Sequence, residues 1–220
     1  MTARADVLLV EDHELLAQSL GAALTAEGVR VQVAPLTSRG ELLDRVGRVR
    51  PRLVLLDLDL GPGIGDGADL IAPMTALGAV VLLVTGIEDR NRIAVAVESG
   101  AVGFVLKSQP FDELLAAVLA VLDGQAVLGQ VERFELLAQL RRHRAENASR
   151  RAPFERLTRR EQQVLRALAD GRTVEVIADE WVVSPATVRT QVRGILTKLG
   201  VGTQLAAVAQ ARRAGWLDTG

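Results

Sequence analysis

Along the first 123 residues the apolar positions alternate between two rhythms. Short runs at Asp6 to Val10, Val29 to Val33, Leu53 to Asp57, Ala79 to Thr85 and Gly103 to Leu106 have strand length and are bounded by turn residues. The run Leu53-Val54-Leu55-Leu56 has no polar face, with Pro51 before it and Gly61-Pro62-Gly63 after, as expected of a strand covered on both sides in a parallel sheet. Between the runs lie helical stretches. Glu14 to Glu27 repeats through Leu15, Leu16, Leu20 and Leu24 and stops at Gly28, and Ser38 caps a second helix through Arg48. Ala68 to Leu77 should be kinked or shortened by Pro73, Arg90 to Ser99 stops at Gly100, and Phe111 to Asp123 is opened by Pro110 and closed by Gly124. Strands and helices taking turns in this way predict an α/β fold, a doubly wound parallel sheet of five strands.

From Gln125 the alternation stops. Glu132 to Arg144 keeps helical spacing through Phe134, Leu137 and Leu140, while Arg141 to Arg151 turns polar and basic, so a linker is predicted there as a solvated tether. The chain restarts at Leu157-Thr158-Arg159-Arg160-Glu161, where Thr158 and Glu161 have capping-box spacing. Val164, Leu165 and Leu168 supply the buried face of that helix, and Gly171 ends it. A second helix is expected from Val174 to Trp181. After Val182-Val183, Ser184-Pro185 opens a third that runs to Leu199 and stops at Gly200, and a fourth spans Gln204 to Ala214. The expected division is therefore residues 3–123 as an α/β domain, 124–152 as a helical and basic linker, and 153–218 as a small all-α domain of four helices.

Net charge sharpens that division. The whole chain carries −1, yet residues 1–122 hold 10 basic against 16 acidic residues and residues 150–220 hold 12 against 7. An acidic module joined to a basic one suits a nucleic-acid partner for the second. Cysteine is absent and the only histidines are His13 and His143, which excludes disulfides and thiolate chemistry and leaves little from which to build a histidine metal cluster or a Ser-His-Asp triad. No apolar run approaches the roughly 18 residues of a membrane span. Asp6, Glu11 and Asp12 interrupt the first apolar segment, so no signal peptide is expected and the chain is read as cytoplasmic.

Chemistry concentrates where strands end. Glu11 and Asp12, Asp57 and Asp59, Thr85 and Lys107 each end or follow a predicted strand, and ligands of open α/β sheets collect at those carboxyl ends. Carboxylates gathered this closely repel unless a hard divalent cation joins them, and magnesium suits oxygen donors. A carboxylate nucleophile, a cation for phosphoryl oxygens, a hydroxyl and an ammonium together fit phosphoryl transfer to Asp57. Residues 3–123 resemble the receiver domain of two-component response regulators. That resemblance implies a flavodoxin-like strand order of 2-1-3-4-5, with Asp57 as phospho-acceptor and a sensor histidine kinase as donor. It also implies Mg2+ held by Glu11, Asp12, Asp57 and the backbone carbonyl of Asp59, with Thr85 as switch hydroxyl, Lys107 as phosphate partner and Phe104 as switch aromatic. Asp57-Leu58-Asp59 with Thr85 and Lys107 also resembles haloacid-dehalogenase-like phosphatases. There, however, the acidic pair follows the first strand rather than the third, and Glu11-Asp12 would lack a role, so no enzyme is expected.

In the helix from Pro185 to Leu199, Val188, Val192, Ile195, Leu196 and Leu199 form one apolar stripe, and Arg189, Thr190, Arg193 and Thr197 occupy the opposite face with Gln191 and Lys198 at its flanks. A basic outer face on the second of two helices joined by a tight turn fits a helix-turn-helix for the major groove. Leu157 to Leu217 resembles the LuxR-type helix-turn-helix of NarL/FixJ-class response regulators, through Thr158-Arg159-Arg160-Glu161, Ile177-Ala178, Thr187-Val188-Arg189 and Lys198-Leu199-Gly200-Val201 among others. The resemblance implies Arg189, Thr190 and Arg193 toward base edges, Thr187 and Lys198 toward phosphates, and a homodimer on two half-sites of double-stranded DNA. Gln191 and Gly194 stand where histidine and asparagine are usual, and a glycine inside a helix costs about 1 kcal/mol relative to alanine. A regulator on a receiver scaffold that works without phosphorylation is the remaining alternative.

Overall fold

The computed structural model describes residues 5–217, so the expected domain limits at 3 and 218 lie outside the described residues. The described chain divides into two compact units between Arg141 and Arg142.

The first unit holds strands β1 (Val7–Val10), β2 (Val31–Val33), β3 (Leu53–Leu56), β4 (Val80–Thr85) and β5 (Gly103–Leu106). All pair in parallel, in the order 2-1-3-4-5. Helices α1 (Glu14–Ala26), α2 (Arg39–Val49), α3 (Gly61–Ile64), α4 (Ala68–Ala76), α5 (Arg90–Glu98) and α6 (Phe111–Leu122) connect them. Alternate strand residues enter two separate cores. Leu8, Val10, Val54, Leu56, Val81 and Leu83 meet Leu42, Val46, Leu70, Ile71, Met74 and Ala96 on the α2, α4 and α5 face. Val7, Leu9, Leu53, Leu55, Leu82 and Val84 meet Ala17, Leu20, Leu24, Leu114 and Val118 on the α1 and α6 face. The unbroken apolar runs are thus the consequence of helices on both sides of the sheet.

Three local differences separate the structure from the sequence-based expectation. Asp6 precedes the strand, and its carboxylate takes the Arg30 guanidinium through both oxygens, at 3.0 and 3.1 Å. The Gly61-Pro62-Gly63 segment forms the short α3 rather than a loop, since proline in a first helical turn gives up an N–H that has no partner there anyway. The third difference corrects the tether expected at Arg141 to Arg151, where α7 (Gln130–Glu155) is helical throughout. That segment holds no glycine or proline and is dominated by arginine, with Ala145, Glu146 and Ala148 among the rest, residues that favour helix without needing an apolar face. In the first unit Leu136 and Leu140 of α7 pack with Ile93, Ala94 and Val97 of α5.

The second unit contains α8 (Arg159–Ala169), α9 (Val174–Glu180), α10 (Pro185–Leu199) and α11 (Gln204–Arg213) around one core in which Phe154 stacks on Trp216 at 5.3 Å. The Thr158 and Glu161 capping box is formed, and Ser184 caps α10 through the Thr187 N–H. Among the described residues no helix is long and apolar enough to cross a membrane.

Candidate functional site: an acidic rim and a basic helix

Strand order decides where the acidic residues meet. With β1 and β3 adjacent, Glu11 and Asp57 leave neighbouring strands at the point where the winding direction reverses, which is where a doubly wound sheet opens a crevice. Asp57 is 3% exposed, Glu11 7% and Thr85 0%. Lys107, just beyond β5, reaches back across β4. Its ammonium donates to Glu11 Oε1 at 2.6 Å and to Asp57 Oδ2 at 2.7 Å. Burial works against the lysine charge, but these two hydrogen bonds and the charges behind them outweigh it and raise its pKa. The other Asp57 oxygen accepts from the Leu58 N–H at 2.7 Å.

Asp12 lies at the exposed edge of this group. One carboxylate oxygen each from Glu11, Asp12 and Asp57 and a nitrogen of His13 all fall within 4.8 Å of one another. Three carboxylates at such separations suit a hard divalent cation, the donor chemistry that magnesium takes. His13 was not a predicted site residue, yet its Nδ1 lies 3.0 Å from Glu11 Oε1 and 2.8 Å from Asp12 Oδ1. The Glu11 hydrogen bond raises the imidazole pKa, Lys107 opposing it and Asp12 assisting. Its adjacency to the acidic pair was the available signal.

Thr85 ends β4 with its hydroxyl accepting from the Ile87 N–H at 3.1 Å, and its carbonyl accepts from the Lys107 N–H at 2.9 Å. Phe104, half-buried on β5, touches both the core under α4 and the cluster between α5 and α7. Asp59 is exposed and its backbone forms an isolated bridge with Asp66. Gly67, which no sequence motif singled out, closes that loop by donating to the Leu58 carbonyl at 2.9 Å. A Cβ on Gly67 would lie 2.1 Å from the Asp57 carbonyl oxygen, so only glycine fits beside the acidic strand end.

In the second unit Val188, Val192, Ile195 and Leu199 are buried and Thr187, Arg189, Thr190 and Arg193 are exposed, so α10 turns the expected face to solvent. Thr187 Oγ1 lies 2.9 Å from Ser184 Oγ, and the Thr190 hydroxyl donates to the Ala186 carbonyl at 3.0 Å. Arg189 pairs with Glu175 of α9 at 2.8 Å. Lys198 is held differently from a free phosphate donor, because its ammonium bonds the buried Glu161 carboxylate at 2.6 Å. Gly194 faces the same carboxylate, and a Cβ there would come within 2.6 Å of Glu161 Oε1.

Comparison with known proteins agrees with this architecture. Residues 7–119 match the response regulator receiver domain, and residues 155–211 match the luxR family of bacterial regulatory proteins. The chain is 32% identical over 214 residues to a probable transcriptional regulatory protein NarL of Mycobacterium tuberculosis, covering 96% of this chain and 95% of that one. It is 28% identical over 207 residues to the transcriptional regulatory protein LiaR of Bacillus subtilis, covering 94% and 96%. RcsB from Salmonella enterica serovar Typhimurium, solved on a promoter with a phosphomimetic, shares the fold at a TM-score of 0.51 and 23% identity, covering 94% of this chain and 97% of that one. The named relatives are transcriptional regulators rather than hydrolases, which sets the phosphatase alternative aside.

Proposed function

Because this chain belongs to the response regulators, joining a receiver domain to a luxR-family domain, we propose that it is a DNA-binding transcriptional regulator switched by phosphorylation of Asp57. The observation that carries this reading is the Lys107 ammonium bonded at once to Glu11 and Asp57 on the sheet rim. A sensor histidine kinase is the proposed donor, and the cytoplasm is the proposed location of this chain. An Asp57 carboxylate oxygen attacks the phosphorus, an acyl phosphate forms and the histidine nitrogen leaves. Lys107 then exchanges its carboxylate partner for a phosphoryl oxygen, and the Thr85 O–H gains a new acceptor beside it. Glu11, Asp12, Asp57 and the Asp59 carbonyl would hold Mg2+, which supplies positive charge to the phosphoryl oxygens when bound. Rearrangement at Thr85 and Phe104 is proposed to alter the face formed by α5 and α6, and with it pairing between copies.

The proposed division is a receiver at 3–123, a connecting segment at 124–152 and a helix-turn-helix domain at 153–218. Its support is the boundary between compact units after Arg141 and the two family matches. On α10, Arg189, Thr190 and Arg193 are proposed to face bases, and Thr187 phosphates. Lys198 can share its ammonium with a phosphate while bonded to Glu161. A two-fold site needs a two-fold protein, and α11 is the proposed contact between copies on DNA. Incubation with acetyl phosphate should add the mass of one phosphate in a magnesium-dependent way, and Asp57→Ala should abolish the gain. An equal gain in Asp57→Ala would remove the assignment.

A further inference from the structure

We propose that Glu175 is a specificity-determining residue: its carboxylate occupies the Arg189 guanidinium until a base edge shares it, so the backbone phosphates of unselected DNA gain little from Arg189. The inference rests on the DNA-binding reading above. Arg189 lies in the N-terminal half of α10, the part of a recognition helix that meets base edges, and Glu175 lies in the first turn of α9, the helix expected to cross the DNA backbone. The guanidinium donates to Glu175 Oε1 at 2.8 Å. The two side chains are 61% and 60% exposed, so the pair is open to incoming groups. A hydrogen bond from its own backbone N–H, followed by those from Arg189 and Thr173, lowers the Glu175 pKa, so the carboxylate is charged at neutral pH.

A carboxylate and a phosphate take the same donor fork of arginine, so they compete for it. Non-specific affinity comes from cations that neutralise phosphates and release counterions, and an arginine already paired brings no net charge to that exchange. The carboxylate also repels nearby phosphates directly. A guanine edge differs, because O6 and N7 are neutral acceptors and the guanidinium keeps N–H donors beyond the one that Glu175 takes. The pair therefore penalises phosphate contact more than guanine contact, and the difference appears as discrimination.

The test uses the full chain as wild type, Glu175→Gln, Arg189→Ala and the double variant, with melting curves to establish that all four are folded. Two duplexes serve as probes, one selected by the wild type from a randomised pool and one a scrambled sequence of equal length. Glu175→Gln should tighten binding to the scrambled duplex about five-fold, and steepen its dependence on log salt by about one. Affinity for the selected duplex should rise less, so the ratio between the two narrows. With Arg189→Ala already present, the same substitution should have a clearly smaller effect. Unchanged affinity and slope on the scrambled duplex would overturn the proposal, as would an equal gain with and without Arg189. A wild type that enriches no duplex from the pool at low salt would overturn the DNA-binding reading itself and this proposal with it.

Discussion

At Glu161 a single buried carboxylate serves two elements. It accepts from the Thr158 N–H at 2.7 Å to start α8, and from the Lys198 ammonium at 2.6 Å to hold α10. Burial disfavours its charge, but the Lys198 hydrogen bond, the Thr158 hydrogen bonds and the Lys198 charge prevail and lower its pKa below the ordinary 4.5. The folded protein therefore binds this proton less readily than the unfolded chain. The stabilisation is complete above about pH 4.5 and is lost as pH falls through the lower folded value. Thermal melts from neutral pH down to about pH 3 should show the second unit losing stability over that acid range, and Glu161→Gln should flatten the dependence. Gly194 belongs to the same arrangement. Its cost to the helix was legible in the sequence, whereas the 2.6 Å approach of Glu161, which would have to move to admit a side chain there, was not.

The turn between α9 and α10 carries a local cost of its own. Val182 has a φ of 53°, a left-handed conformation that a β-branched residue adopts against steric resistance, and it is 91% exposed with no core to reward it. Val182→Gly should therefore stabilise the second unit by about 1 kcal/mol, read as a raised melting temperature. Elements with strong punctuation were legible in advance: the Thr158 capping box, the Ser184-Pro185 start and the Gly200 stop all stand where sequence placed them. Elements whose identity depended on context were not. The basic stretch in α7 was misread because polarity signals solvation without distinguishing coil from solvated helix, and α3 was missed because Gly-Pro-Gly reads as a break before its position in a first turn is known.

For the whole chain, the proposed coupling separates two activities that one substitution should pull apart. Asp57→Ala should leave basal DNA affinity in place and abolish phosphate-driven dimerisation, measured by sedimentation with and without acetyl phosphate; loss of basal affinity as well would contradict independent function of the second unit. The meeting of Glu11, Asp57 and Lys107 was foreseeable because topology alone brings the ends of β1, β3, β4 and β5 side by side. What topology does not reveal is which small residues the rim requires. Gly67 became visible only through distances.

Gly67 has no reactive atom, yet its backbone sits where any methyl group would collide with the carbonyl of Asp57. In a saturation library scored for retained acyl-phosphate formation, position 67 should therefore tolerate substitution as poorly as position 57, while scoring for soluble expression alone should separate the two. Ranking residues by chemical reactivity would overlook it; ranking them by the room their neighbours leave would put it near the top.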